Sequence, residues 1–397
     1  MTEYSCNSTN EEIISEICTN GSDTSCVECI LPYNDITLKL RYVCGAWMTF
    51  TAIFGILGNL TTLVSIPFAA SRKLYGFDRN FTSTTIFILH LSFIELCWCL
   101  LGAIPFSYQL LAREWPFGTL LCKAHAIFVQ IISPTEAAAL ACISITRCLG
   151  LIKGRHWRTF SYKKCNLILL LITPWILSLP TLFPYFVKSS GVDVGWSCTF
   201  GQCGTISSCQ QSTSTGACIH ESTWFADFIP WYMFLIVLSS IIIIIICYVF
   251  IDRNARMSSV YLKKEGKMSS QIQKRDLKML KTILLLILSH GICNLPLRFA
   301  LFYNYIIPGA HLTLRIWYGL MMIYESQFAL NFFIYAGSNE QYRKAYLYYW
   351  KYLTCQGAKL HDANNSGNTR SSNSVLAHAY SNLRQISNNS KVYEVHT

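Results

Sequence analysis

"CKAHAIFVQIISPTEAAALACISITR", residues 122–147, runs from a cysteine to an arginine with only Lys123 and Glu136 carrying formal charge in between. The two ends stand 25 residues apart. As a helix rising about 1.5 Å per residue, that interval covers roughly 37 Å, a bilayer core plus its interface. Depth alone has a plain explanation: an arginine that snorkels to the membrane boundary. Whether Arg147 marks a boundary or performs a task depends on the rest of the chain.

Of the 397 residues, 52% are hydrophobic and 13% charged, against roughly 25% charged in soluble domains. The mean hydropathy is +0.34. Apolar blocks long enough to cross a membrane lie near 43–70, 81–106, 118–150, 165–187, 224–250, 278–303 and 312–336. Each meets the need for about 20 apolar residues per span. The fifth, with "FLIVLSSIIIIIICYVF" at 234–250, is the clearest; the third and seventh are weakened by Glu136 and Glu325. In lipid the backbone must satisfy itself, so these blocks are expected to be helices, kinked at Pro105, Pro134, Pro174, Pro180, Pro230 and Pro296. The fold class is thus an all-α membrane protein, a seven-helix bundle.

Basic residues set the orientation. The loops at 71–80 and 151–164 carry Arg72, Lys73, Arg79, Lys153, Arg155, Arg158, Lys163 and Lys164, and the loop at 251–281 carries nine more. The alternate loops hold Arg113, Lys123, Lys188 and Arg315. The positive-inside rule places the N-terminus outside and the C-terminus in the cytosol. The net charge of +11 then faces anionic lipid and cytosolic partners, not nucleic acid. Residues 1–42 show no cleavable signal, so the first span is expected to act as signal anchor. Cys6, Cys18, Cys26, Cys29, Cys122, Cys198, Cys203, Cys209 and Cys218 fall on the outer side, where disulfides persist. Nine is odd, so one stays free or pairs with Cys44. Their spacing fits no common zinc cage, and no metal site is expected. Sequons at Asn7 and Asn20 face the glycosylating compartment.

An ordered set of motifs decides the question about Arg147. Gly58-Asn59 lies on the first span, and Leu91 precedes Glu95 on the second. Trp115, Phe117 and Gly118 precede Cys122; Arg147 follows it by 25. Trp175 stands on the fourth span, Cys293 to Pro296 on the sixth, and Asn331-Phe332-Phe333-Ile334-Tyr335 on the seventh, followed by "NEQYRKAY" at 339–346. Over roughly 45–352 the chain resembles the rhodopsin-like G-protein-coupled receptors. A smaller likeness runs to Moody, trapped-in-endoderm and melatonin-type receptors of invertebrates.

The resemblance implies an extracellular N-terminus (1–42), a seven-helix receptor domain (43–338), an amphipathic helix on the inner leaflet (339–352) and a disordered tail (353–397). It implies a disulfide from Cys122 to one of Cys198, Cys203, Cys209 or Cys218. It implies a plasma-membrane receptor for an extracellular ligand that activates a heterotrimeric G protein, with arrestin as a further partner. Coupling would run through Arg147 with Thr146, Cys148, Asn294, Pro296, Asn331 and Tyr335. The family sets an acid before this arginine and a tyrosine after it, where this chain has Thr146 and Cys148. Asn294 stands at an aromatic switch position, Leu238 in place of a tyrosine, and Phe332 in place of a proline. Two outcomes are open: high basal signalling because a lock is absent, or weak coupling because the relay is incomplete. The first is the expectation.

Glu95, Glu136 and Glu325 fall inside spans, where an ionised carboxylate costs at least about 2.5–3.5 kcal/mol and so should face the interior. Glu95 occupies the family's sodium-binding position and Glu136 a position often held by serine. With Asn59 and Asn331 they form a candidate site for a sodium ion or a shared proton; a buried hydrogen-bonded network explains them equally well. No other cofactor is expected. Val129 replaces the aspartate of amine receptors, which favours a peptide or lipid ligand. Glu325 stands where opsins carry their chromophore lysine. Arg298, Tyr303, Arg315, Val129 and Glu325 are the candidate ligand contacts, though basic residues there also snorkel. Cys355, after "YLYYWKYLTC", is a candidate palmitoylation site. An enzyme is not expected: no HExxH or GxSxG occurs, and His90 and His290 stand alone. The other readings are a non-signalling scavenger receptor and, more distantly, a transporter, whose inverted repeats are not visible.

Overall fold

The computed structural model describes residues 35–75, 83–112, 114–152, 163–186, 224–264, 271–306 and 313–354, with short stretches at 4–5, 157, 160, 192–197, 202–207, 209–211 and 218–220. The sequons at Asn7 and Asn20, Cys198 and everything from Cys355 onward lie outside the described residues.

In chain order the bundle comprises Asp35–Ser71, a second rod from Ser83 to Ala112, Gly118–Ile152, Lys164–Ser178 with short turns reaching Phe186, Trp224–Lys264, Gln271–Ile306 and Leu314–Ser338. Glu340–Leu353 follows as a separate helix. Six of the seven are long and apolar enough by themselves to cross a membrane. The seventh, carrying Arg315 and Glu325, takes its place by packing against the first and sixth. Cys122 and Arg147 lie on one uninterrupted helix. That helix is central: it packs on the second, fourth and fifth, and 72% of its apolar window is enclosed against 22% for the fourth.

Two expected kinks are seen as local changes of helix type. A π-helical turn at Cys99–Ala103 sits just before Pro105, and a 3-10 turn at Leu179–Leu182 contains Pro180. A missing N–H forces the hydrogen-bond ladder to change step at such points. The basic loop expected at 251–281 is a correction: the fifth helix continues to Lys264 and the sixth already begins at Gln271. Arg, Lys, Met and Gln are good helix formers, so the ladder runs on past the membrane. Cys44 is a free, buried thiol that donates to the Tyr318 carbonyl at 3.6 Å, which removes the alternative that it pairs with an outer cysteine.

Close approach depends on missing side chains. A Cβ at Gly58 would stand 2.5 Å from the Cβ of Phe332, and one at Gly55 would stand 2.6 Å from the Cys99 sulfur. Small residues thus let the first helix nest against the second and seventh. The Phe332 ring also stacks on Tyr346 of the separate helix, centroids 5.1 Å apart. That helix is capped by Asn339, whose side chain accepts from the Gln341 N–H at 3.0 Å. Its Tyr346 hydroxyl meets Thr62 at 2.9 Å. Arg72 donates to the Tyr348 hydroxyl at 3.0 Å and lies over the Phe68 and Tyr352 rings. The Tyr348 hydroxyl raises the Arg72 pKa, so its charge persists.

At the Cys122 end of the bundle, Gly118 has φ +78°, a left-handed turn suited to glycine. The Trp115 indole N–H reaches its carbonyl at 2.8 Å. An antiparallel hairpin, Val192–Ser197 with Gln202–Ser207, puts Trp196 opposite Cys203. A second short pair joins Cys209–Gln211 to Cys218–His220.

Candidate functional site

Polar residues recur at helical spacing on three apolar rods. On the sixth helix His290, Asn294 and Arg298 are four residues apart, hence on one face. Ser133 and Glu136 share a face of the third, as do Tyr324, Gln327 and Asn331 on the seventh. The bundle turns these faces toward one another, in layers.

Outermost, Arg298 donates to the Ser133 hydroxyl, its guanidinium 6.0 Å from the centre of the Tyr324 ring. One turn inward, the Gln327 amide donates to Glu136 and its carbonyl accepts from Asn294. The Asn294 amide also approaches His290 at 3.3 Å, and His290 Nδ1 stands 3.6 Å from Glu136 Oε1. The next layer holds Glu95, which accepts from Asn331. Asn59 lies beside Glu95, but neither of its polar atoms attains hydrogen-bond geometry. The Glu136 charge is near enough to act on Glu95. Tyr335 is fully buried below, within reach of the Glu95 charge.

Of the expected ion-site residues, the structure therefore gathers Glu95, Glu136, Asn331 and Asn59. It adds His290 and Gln327, which the sequence reading missed, and corrects the view that the histidines stand alone. His290 meets Glu136, and His90 accepts from the Trp175 indole at 3.0 Å. The available signal was the four-residue repeat of polar groups on otherwise apolar helices. In the ligand group the outcome divides. Arg298 points inward and Val129 is half-buried against the core. Tyr303 and Arg315 are exposed. Glu325 is enclosed, accepting at 3.1 Å from the indole of Trp98, whose ring packs against those of Tyr324 and Phe328. Pro296 lies within the sixth helix.

At the opposite end of the third helix from Cys122, Arg147 is half-buried and its charge acts on Tyr248 of the fifth helix. The Thr146 hydroxyl bonds to its own helix, at the Ile143 carbonyl, 2.9 Å. Cys148 packs with Cys247 and Ile251. At the other end of the third helix Cys122 is disulfide-bonded to Cys203, which settles the choice among four candidates. The Cys203 N–H donates to the Gln109 side chain, so hairpin, third helix and second rod meet at one point.

Comparison with known proteins agrees with this architecture. Residues 60–335 match the family model described as 7 transmembrane receptor (rhodopsin family). The type-1 angiotensin II receptor of Bos taurus is 28% identical over 148 residues, 36% of this chain and 39% of that one. The type-1 angiotensin II receptor B of Mus musculus matches to the same extent. The chain thus spans about two fifths of the length of the curated relatives it matches. Squid rhodopsin shares the fold, with a TM-score of 0.65 and 16% identity over 84% of this chain and 92% of that one. With the seven packed helices, the third-helix disulfide and a family match spanning most of the bundle, the chain belongs to the rhodopsin family of seven-transmembrane receptors, a family of receptors and not of enzymes.

Proposed function

We propose that this receptor sits in the plasma membrane with its N-terminus outside, binds a peptide or lipid ligand at its outer mouth and activates a heterotrimeric G protein at its inner mouth. One observation carries the reading: polar contacts in successive layers, from Arg298 down to Asn331, join the third, sixth and seventh helices to one another and the seventh to the second. A ligand that moves the outer layer disturbs contacts that hold the sixth helix against the third. Ligand and G protein then favour the same arrangement and strengthen each other's binding. Arg147 is the cation that the G protein meets once the sixth helix swings out. The half-buried Val129 supports a ligand other than an amine, and the relatives named for angiotensin II support an extracellular one. Glu95 and Glu136 hold a sodium ion or share a proton in the resting arrangement. Arrestin and inner-leaflet lipid are the further partners.

The test is second-messenger output from ligand-free cells expressing wild type or Arg147→Ala at equal surface density. Basal output well above untransfected cells, lost in the variant, is expected. Equal outputs would leave the scavenger reading in its place.

A further inference from the structure

The charges enclosed in the bundle are not alike in their partners. Glu95, Glu136 and Glu325 each accept a hydrogen bond from a side chain on another helix. Arg298 is half-buried; among the described residues it donates to the neutral Ser133 hydroxyl and faces the Tyr324 ring. Its Nε is shut away with no acceptor, and among the described residues no carboxylate stands at ion-pair distance from it. Glu136 acts on it through space but is already engaged by Gln327 and His290. A guanidinium drawn partly out of water without a close counter-charge carries a desolvation cost. Its planar fork is built to take a carboxylate through two parallel hydrogen bonds.

Position limits what can reach it. Arg298 lies eight residues inside the outer end of its helix at Ile306, about 12 Å at 1.5 Å per residue. On the way stand the half-buried, apolar Val129, Leu301 and Phe302. We propose that Arg298, between Ser133 and Tyr324, is the anchor for a ligand carboxylate carried on an apolar stem and inserted from the outer mouth. The carboxylate supplies, at ion-pair distance, the counter-charge that no described residue supplies there, and replaces Ser133 as the main partner of the fork. Because Ser133 and Glu136 are one turn apart, this occupancy is felt at once in the layer holding His290 and Asn294. The inference rests on the receptor reading above and specifies the ligand chemistry.

A terminal carboxylate on an apolar stem occurs in fatty acids and in peptide C-termini, so the test has two arms. Full-length receptor in non-ionic detergent is melted with dodecanoate or methyl dodecanoate. In the other arm it is melted with pentapeptide pools ending in an apolar residue, bearing either a free carboxylate or an amide. In one arm the acid is expected to raise the unfolding temperature by about 3–5 °C at saturating concentration while its neutral counterpart does not; that arm identifies the source. Arg298→Gln should weaken binding of the acid on the order of a hundredfold. Arg298→Lys, which keeps the charge but loses the fork, should retain part of the preference. Equal shifts for acid and neutral probe, no shift in either arm, or a preference surviving in Arg298→Gln would each overturn the assignment. The wild-type comparison decides even if a variant fails to fold. No G protein enters this measurement, so its failure and that of the signalling reading are separately visible.

Discussion

The middle of the bundle and its inner mouth treat unusual residues in opposite ways. In the middle, Glu136, Asn294 and His290 stand together and bond across helices, with Gln327 completing the group. At the inner mouth Thr146 turns its hydroxyl onto its own backbone, and Cys148 packs among apolar neighbours. The first arrangement ties three helices together; the second ties Thr146 to nothing but its own helix. Contacts that hold the sixth helix against the third thus lie about three helical turns from Arg147, at Glu136.

The largest test of this contrast is Glu136→Leu. It removes the acceptor of Gln327 and the partner of His290, leaving buried donors unsatisfied at about 1–3 kcal/mol each. A loss of about 2–4 kcal/mol in thermal stability is expected, with basal second messenger rising severalfold. Unchanged basal output would mean that these contacts do not restrain the sixth helix. Next in size is the ion response. If the core clamps sodium, sodium at about ten times its dissociation constant should stabilise the wild type by about 1.4 kcal/mol relative to potassium at equal ionic strength. Glu136→Ser should lose that difference, and coincident melting curves for wild type in the two salts would remove the clamp. Smaller still is Arg72→Ala, which takes the cation from the Phe68 and Tyr352 rings at an exposed site. About 0.5–1 kcal/mol is expected, with little change in signalling. Thr146→Ala should be smallest, under about 1 kcal/mol with basal output within twofold, because a self-bonded helical hydroxyl holds no neighbour. A large rise on that substitution would contradict the contrast.

Much of this was legible beforehand. Hydropathy and basic loops placed the seven helices, because length and polarity are properties of each segment alone. The ends were less legible at 251–281, where helix propensity outlasts the membrane. Carboxylates inside apolar runs drew attention to Glu95 and Glu136, whereas His290 and Gln327 carry no charge that hydropathy would flag. Their role exists only once helices face each other. Arg298, Tyr303 and Arg315 looked equivalent as outer polar residues, and only the rotation of the helices separates the inward guanidinium from the exposed two. The Cys122 partner was likewise invisible until a hairpin brought Cys203 against Gln109.

The wedge of Phe332 against the bare α-carbon of Gly58 has one more effect. The same ring stacks on Tyr346, and Tyr335 meets Tyr342, so the base of the seventh helix and the helix Glu340–Leu353 are geared through two aromatic contacts. Turning one should tilt the other, and whatever grips the helix Glu340–Leu353 has a mechanical handle on this end of the bundle.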